Sequence, residues 1–541
     1  MKKLMSHKQI TGSSRKLLSL FDSVNPNRTF LILVGLLILV VLAFHFETLT
    51  RYPAVFIDES WNANAAWNWS RTGVNFDPIH SGTLDQVGYE WLRRSNLGTL
   101  PWVLFFSMAG TGLFQARLVS YIFGILLLVA VIIVGSRIYS VKTGFLAALF
   151  VSLSAPFLVS AHYARQEIVL IAVILFLFAL SIWAFKQNRL WPHFLSGLIL
   201  GLTIDIHQNG LLFFLGFAGL HLFNYGLGLL RKRETWFWGC GTLVGLIYFL
   251  FAHIFPNPNA YFFYLNMNDV LLQSTTGMTH APPILSMNLQ ILLESARGEL
   301  GRLRFYENSL DFALIISSIV FIAFRKQKYD WTILGFLLIT CISFTLIQGS
   351  KVYFYDILVF PFYFILVAET LVSLLYDDQA KSLQKLFVLC LTAAFIVNGA
   401  RHMVREVNQN RDYDYYTITN EIEALLRPSD RILGSPTWWL GLVDYDYKSA
   451  FMLSHYFYFS NLSLEESMER IAPTILIVDE TFYSLFENID TSAPNFNGDK
   501  KLSVREAEGF IACCTEELAS IDTSQHGNLI IYRVVNTEWT R

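Results

Sequence analysis

The stretch TFLILVGLLILVVLAFHFET, residues 29–48, decides the fold. It runs without a charged side chain until Glu47 and is as long as a helix must be to cross a bilayer. Shortly beyond it stands Phe56-Ile57-Asp58-Glu59-Ser60, two adjacent carboxylates close to a membrane edge. Acids so placed are costly unless they are solvated, paired or used. Asp58 and Glu59 are expected at the outer membrane surface, where they mark a catalytic cleft.

The rest of the chain agrees with a membrane setting. Of 541 residues, 54% are hydrophobic and 15% are charged, against roughly 25% charged in a soluble domain. The formal net charge of -2 gives no reason to expect a nucleic-acid partner. Cys240, Cys341 and Cys390 lie in apolar segments, Cys513 and Cys514 are neighbours, and no CxxC spacing occurs. Neither a zinc site nor a disulfide framework is expected from them. Residues 1–28 lack the layout of a signal peptide and read as a basic cytoplasmic tail.

Spans are expected near 29–48, 116–136, 143–161, 168–185, 191–205, 209–230, 235–255, 309–325, 330–348, 354–376 and 384–400, about eleven in all. Basic residues orient them. Arg137 with Lys142, Lys186 with Arg189, Arg231-Lys232-Arg233, Arg325-Lys326, and Lys381 with Lys385 then share the cytoplasmic side with the tail. The outer side receives the loops 49–115 and 256–308 and the C-terminal region. Residues 98–114 read as a half-buried helix lying at the outer surface, because an extra span there would put the basic junctions outside. After residue 401 charges return, with β-like runs at 430–435, 474–479 and 529–535 and capping-box spacings at Ser463/Glu466 and Ser503/Glu506. The expected fold class is a polytopic α-helical membrane protein: a membrane domain over 29–400 and a small extracytoplasmic α/β domain over 401–541.

Polar clusters at span boundaries gather on the outer side. Besides Asp58 and Glu59 there are His162-Tyr163-Ala164-Arg165-Gln166-Glu167, Asp205-Ile206-His207-Gln208-Asn209 and Lys351-Val352-Tyr353-Phe354-Tyr355-Asp356. Carboxylates with Arg and Lys beside a membrane suit sugar transfer from a polyprenyl-phosphate carrier. The phosphate is already a good leaving group, so a cation must balance its developing charge. A carboxylate must take the acceptor's hydroxyl proton. Asp58 is the expected base and Arg165 the expected phosphate partner.

These residues carry a resemblance. Span one followed by Phe-Ile-Asp58-Glu59-Ser resembles the first-loop acidic motif of the GT-C glycosyltransferases, the protein O-mannosyltransferase-like family (glycosyltransferase family 39) and the related aminoarabinose transferases. Ser160-Ala-His162-Tyr163-Ala164-Arg165-Gln166-Glu167 is similar to that family's Ala-Arg-x-Asp/Glu segment, and Lys351-x-Tyr353-x-Tyr355 with Pro361 to its Tyr/Pro segment in a late span. The resemblance covers roughly residues 30–375. It implies an inverting, mannosyltransferase-like glycosyltransferase of the cell (plasma) membrane, a hexosyl- or pentosyltransferase, working at the outer face. The donor is a polyprenyl-phosphate sugar and the acceptor a hydroxyl on a protein, lipid or glycan. Asp58 and Glu59 become catalytic candidates; Arg165, Lys351, Arg93 and Arg94 donor-phosphate candidates; Glu167, His207, Tyr353, Tyr355 and His162 substrate candidates. Two departures mark this chain. The Lys-Pro-Pro of some relatives' first loop is absent, with Arg93-Arg94 near that place, and Glu167 stands where Asp is more common. No cofactor is indicated and no ligand spacing calls for a metal, although Asp58-Glu59 has room for Mg or Mn between phosphates.

Each residue also has a plainer reading. Two acids at a helix start complement its dipole. Arg165 and Glu167 fit paired charges at a span end, His207 a structural turn residue, Tyr353 and Tyr355 an aromatic belt. The competing functions are a secondary transporter and a non-catalytic membrane receptor. Transporters place polar groups at mid-membrane between paired halves, and neither feature is visible here.

Overall fold

A computed structural model describes residues 26–82, 95–187, 189–263, 289–302, 309–325, 327–348, 353–487 and 503–536. Each expected span falls on helical segments, two of them interrupted, and the chain is organised as a helical bundle followed by a small sheet. Seven helices among the described residues are long and apolar enough to cross a membrane. The segments expected at 143–161, 191–205, 309–325 and 354–376 fall short of that length as single helices.

Two of those shortfalls are breaks that capping residues explain. The expected span 143–161 is two helices, Val141–Ser152 and Ala155–Ser160. Between them the Ser154 hydroxyl accepts from the Phe157 amide, and Pro156 sits in the first turn, where its missing N–H costs nothing. The span at 354–376 opens as a 3₁₀ turn, Tyr353–Leu358, and continues as Phe360–Leu375 with Pro361 in its first turn.

Close packing in the bundle depends on glycine. Helices Trp191–Ile206 and Arg233–Phe249 meet through Gly197 and Gly201 on one and Gly241 and Gly245 on the other. A Cβ on Gly197 would stand 1.9 Å from the Trp238 carbonyl oxygen, and one on Gly241 2.1 Å from that of Phe194. This is the small-residue contact that apolar helices use where burial from water supplies no drive. Outward side chains such as Leu39, Val40, Phe387 and Val397 are exposed, apolar surface of the kind that marks a membrane contact.

The stretch expected as a surface helix is Asn96–Ala109. Ser95 caps it by accepting from the Gly98 amide at 2.8 Å, and Gly110 ends it at φ 77°. Gly98, Thr99, Trp102 and Phe106 form its buried face while Leu104 and Met108 stay exposed. The Asp205 carboxylate accepts from the Asn96 and Leu97 amides at 3.2 and 3.0 Å and meets His253 Nε2 at 2.5 Å. Asp205 thereby anchors this helix.

The C-terminal sheet runs in the order β2 (Asp446–Ser449), β1 (Arg431–Gly434), β3 (Ile475–Val478), β5 (Gly527–Val534), β4 (Thr515–Thr523). Strands β1, β3 and β5 match the three expected runs. The edge strands β2 and β4 were not expected. Both are polar, and what makes them strands is pairing: β2 parallel to β1, β4 antiparallel to β5. Strand β3 is buried throughout, consistent with its central place. The capping box at Ser463/Glu466 closes at 3.2 and 2.6 Å, and Ser503 caps helix Val504–Cys514. One cysteine expectation is corrected: Cys513 and Cys514 are joined to each other as a disulfide.

Candidate active site

Helix Ile57–Thr72 begins at Phe56, and Asp58 and Glu59 occupy its first turn. Successive residues on a helix point about 100° apart, so the two acids leave in different directions. Their surroundings differ completely.

Glu59 is 0% exposed. Its carboxylate accepts from Arg117 Nε at 2.9 Å and Nη2 at 2.8 Å, from the Phe56 amide at 3.0 Å and from the Ala164 amide at 3.0 Å. Arg117, also fully buried, donates through Nη1 to the Leu49 carbonyl at 3.0 Å. A bidentate pair with every oxygen occupied holds the structure together; it has no open face for a substrate. Glu59, expected as catalytic, therefore presents no open oxygen; its bonds join the site helix, helix Leu113–Ile138 and the segment before Arg165.

Asp58 is 28% exposed at its side chain and pairs with Arg165 Nη1. Arg165 turns its other edge to Glu167, with Nε 3.1 and 3.2 Å from the two carboxylate oxygens. Burial works against the guanidinium charge, but Glu167 and Asp58 outweigh it and hold Arg165 well above its ordinary range. His207 Nε2 lies 3.7 Å from Glu167 Oε1, and its ring centroid is 5.9 Å from that of Tyr355. The Phe56 ring lies under the Arg165 guanidinium, 5.7 Å away. Ser160, Tyr163, Arg165, Glu167 and Ile168 line a small pocket beside this cluster.

The structure thus brings Asp58, Arg165, Glu167, His207 and Tyr355 together. It removes His162, which is fully buried, faces the Leu158 and His45 carbonyls at 2.5 and 3.1 Å, and packs on the His45 ring. His162, expected to touch substrate, presents no exposed surface. Lys351, Arg93 and Arg94 lie outside the described residues. Tyr353 opens the 3₁₀ turn that carries Tyr355, and its side chain is likewise outside them. Among the described residues no group of three or more His, Cys, Asp or Glu is arranged to hold a metal ion. Asp58 and Glu167 each pair with the guanidinium of Arg165.

Arg117 was missed by the sequence reading. Its signal was available: a charge near the start of an otherwise apolar helix needs a partner or a purpose. Which partner it takes is set by tertiary packing alone.

No family model and no curated protein sequence matches the chain. Solved structures do. ArnT from Cupriavidus metallidurans bound to undecaprenyl phosphate is similar at 14% identity and TM-score 0.58, over 94% of this chain and 99% of that one. ArnT in its apo state is similar at 12% identity and TM-score 0.58, over 96% and 100%. The oligosaccharyltransferase of Archaeoglobus fulgidus, apo form, follows at 11% identity and TM-score 0.51, over 90% of this chain and 73% of that one. The fold is therefore that of the GT-C membrane proteins. Within that class it is shared with the aminoarabinose transferase ArnT along almost the whole of both chains.

Proposed function

We propose that this protein is an inverting membrane glycosyltransferase that moves a sugar from a polyprenyl-phosphate donor to an acceptor hydroxyl at the outer face of the membrane. The observation that carries the reading is the partly exposed Asp58 carboxylate held against Arg165 at the start of the first-loop helix, within a GT-C fold. The undecaprenyl phosphate bound to ArnT supports a lipid-phosphate donor.

Asp58 takes the proton of the acceptor hydroxyl as its oxygen attacks the anomeric carbon. The bond from that carbon to the phosphate oxygen breaks, and polyprenyl phosphate leaves with the electron pair. Arg165 is shared by two carboxylates, so the cluster of Asp58, Arg165 and Glu167 carries one net negative charge at rest. Protonation of Asp58 cancels it and releases Arg165 Nη1 towards the leaving phosphate. Lys351, Arg93 and Arg94 are proposed as the further cations that draw the donor in. Glu167, His207, Tyr353 and Tyr355 are proposed to hold the sugar and keep Arg165 in place. The outward orientation and the division into a 29–400 membrane domain and a 401–541 outer domain belong to the same reading.

The experiment is transfer from a panel of polyprenyl-phosphate sugars by purified protein, beside Asp58→Asn. A folded, inactive Asp58→Asn supports the base. Unchanged turnover in that variant removes Asp58 from the mechanism.

A further inference from the structure

The turn that carries Asp58 is gripped from the C-terminal domain as well as from the bundle. The Val55 amide donates to Tyr413 Oη at 3.3 Å, and Tyr413 Oη lies 3.3 Å from His526 Nε2. Val55 immediately precedes Phe56, the residue that starts the site helix and whose amide bonds Glu59. Tyr413 is 1% exposed; His526 sits in the turn between β4 and β5. Burial lowers His526 to about 4 and raises Tyr413, so both are neutral near pH 7. A neutral imidazole with its proton on Nδ1 accepts the Tyr413 hydroxyl proton, leaving the phenol oxygen to accept from Val55.

Other contacts press on the same helix from the same side. Trp439 meets Trp67 at 5.9 Å and Phe451 meets Trp61 at 5.5 Å, both edge to face. Lys448 Nζ donates to Ser81 Oγ at 2.6 Å and to the Pro78 carbonyl at 3.3 Å, beyond the helix end.

We infer that Tyr413 and His526 are positioning residues, through which the hairpin β4–β5 sets the backbone that presents Asp58. The C-terminal domain is then part of the catalytic apparatus, and cutting it away disables the site without revealing what the domain binds. Only the activity arm of the test rests on the sugar-transfer reading.

The test uses the full-length purified protein and three variants: Tyr413→Phe, His526→Leu and His526→Gln. Tyr413→Phe and His526→Leu are expected to raise amide exchange over residues 54–60 about tenfold, the order of one lost hydrogen bond. Thermal midpoints stay within about 2 °C of the parent. His526→Gln, whose side-chain oxygen takes over the acceptor role, restores the parent rate. With a polyprenyl-phosphate sugar, the first two variants lower kcat about tenfold and leave donor KM unchanged. Unchanged exchange in both variants, or a Gln variant as impaired as the Leu one, overturns the inference. Faster exchange in a protein that transfers no sugar from any donor supports the brace and overturns the transfer reading, so the two fail separately.

Discussion

Glu59 and Arg117 make a two-pronged ion pair, 2.9 and 2.8 Å, with no exposed surface on either side chain. Removing one member strands the other's charge away from water. Glu59→Gln or Arg117→Leu is expected to destabilise the protein by about 3–5 kcal/mol, with the double variant recovering part of the loss. Thermal unfolding of the single and double variants in detergent checks this. Additive losses would mean that the pair is not the unit holding the helix.

Arg165 bonds two carboxylates through two different edges of one plane. A lysine keeps the charge and loses that fork. Arg165→Lys is expected to lower kcat by roughly 10²–10³, the scale for losing an aimed donor at a developing charge, while the protein remains folded. Steady-state kinetics against donor concentration checks it, and full activity in the lysine variant rejects a role for the fork.

The glycine contact makes a sharp contrast within one helix. Gly241 faces the Phe194 carbonyl at 2.1 Å from its built Cβ, whereas nothing lies within 4 Å of a Cβ on Gly239. Gly241→Val is expected to cost about 1–3 kcal/mol or more by forcing two backbones apart. Gly239→Ala is expected to be neutral or to stabilise by roughly 0.5–1 kcal/mol. The comparison is read from thermal midpoints measured side by side.

Acid should loosen the C-terminal region around the sheet. Burial holds His455 at about 4 and His526 at about 4, below the 6.5 of an exposed histidine. The unfolded chain therefore binds more protons between those values, and stability is lost as pH falls from about 6.5 towards 4. Burial acts oppositely on Asp479, raised to about 6, which gains stability as pH falls through that value and partly offsets the loss. Each histidine costs roughly 3 kcal/mol at most, reached only near pH 4. Thermal midpoints at pH 7.5, 6 and 5 should fall in that order, and His455→Leu should flatten the fall. A midpoint rising with acid would show that the carboxylates dominate.

Helix positions are legible in the chain because long apolar runs carry their own length and their own stops. The capping serines at 154 and 463 show why: a hydroxyl three residues before an amide acts over one turn, and one turn is visible locally. The break at Ser154-Ala155-Pro156 was readable in that way, even though the run around it suggested one span. Strands β2 and β4 were not, since their polar residues become strands only by lying beside β1 and β5.

By itself the sequence determined that this is a membrane protein, where its helices run, and that two acids open the helix after the first span. Tertiary structure decided what each acid meets. Glu59 and Asp58 are chemically alike and adjacent, but one turns into Arg117 and the Ala164 amide while the other turns to Arg165 and remains partly exposed. That division depends on groups far apart in the chain, and on Tyr413 arriving from the C-terminal side. No local pattern encodes it, because the solvation and pairing of a charge are set by whatever folds against it.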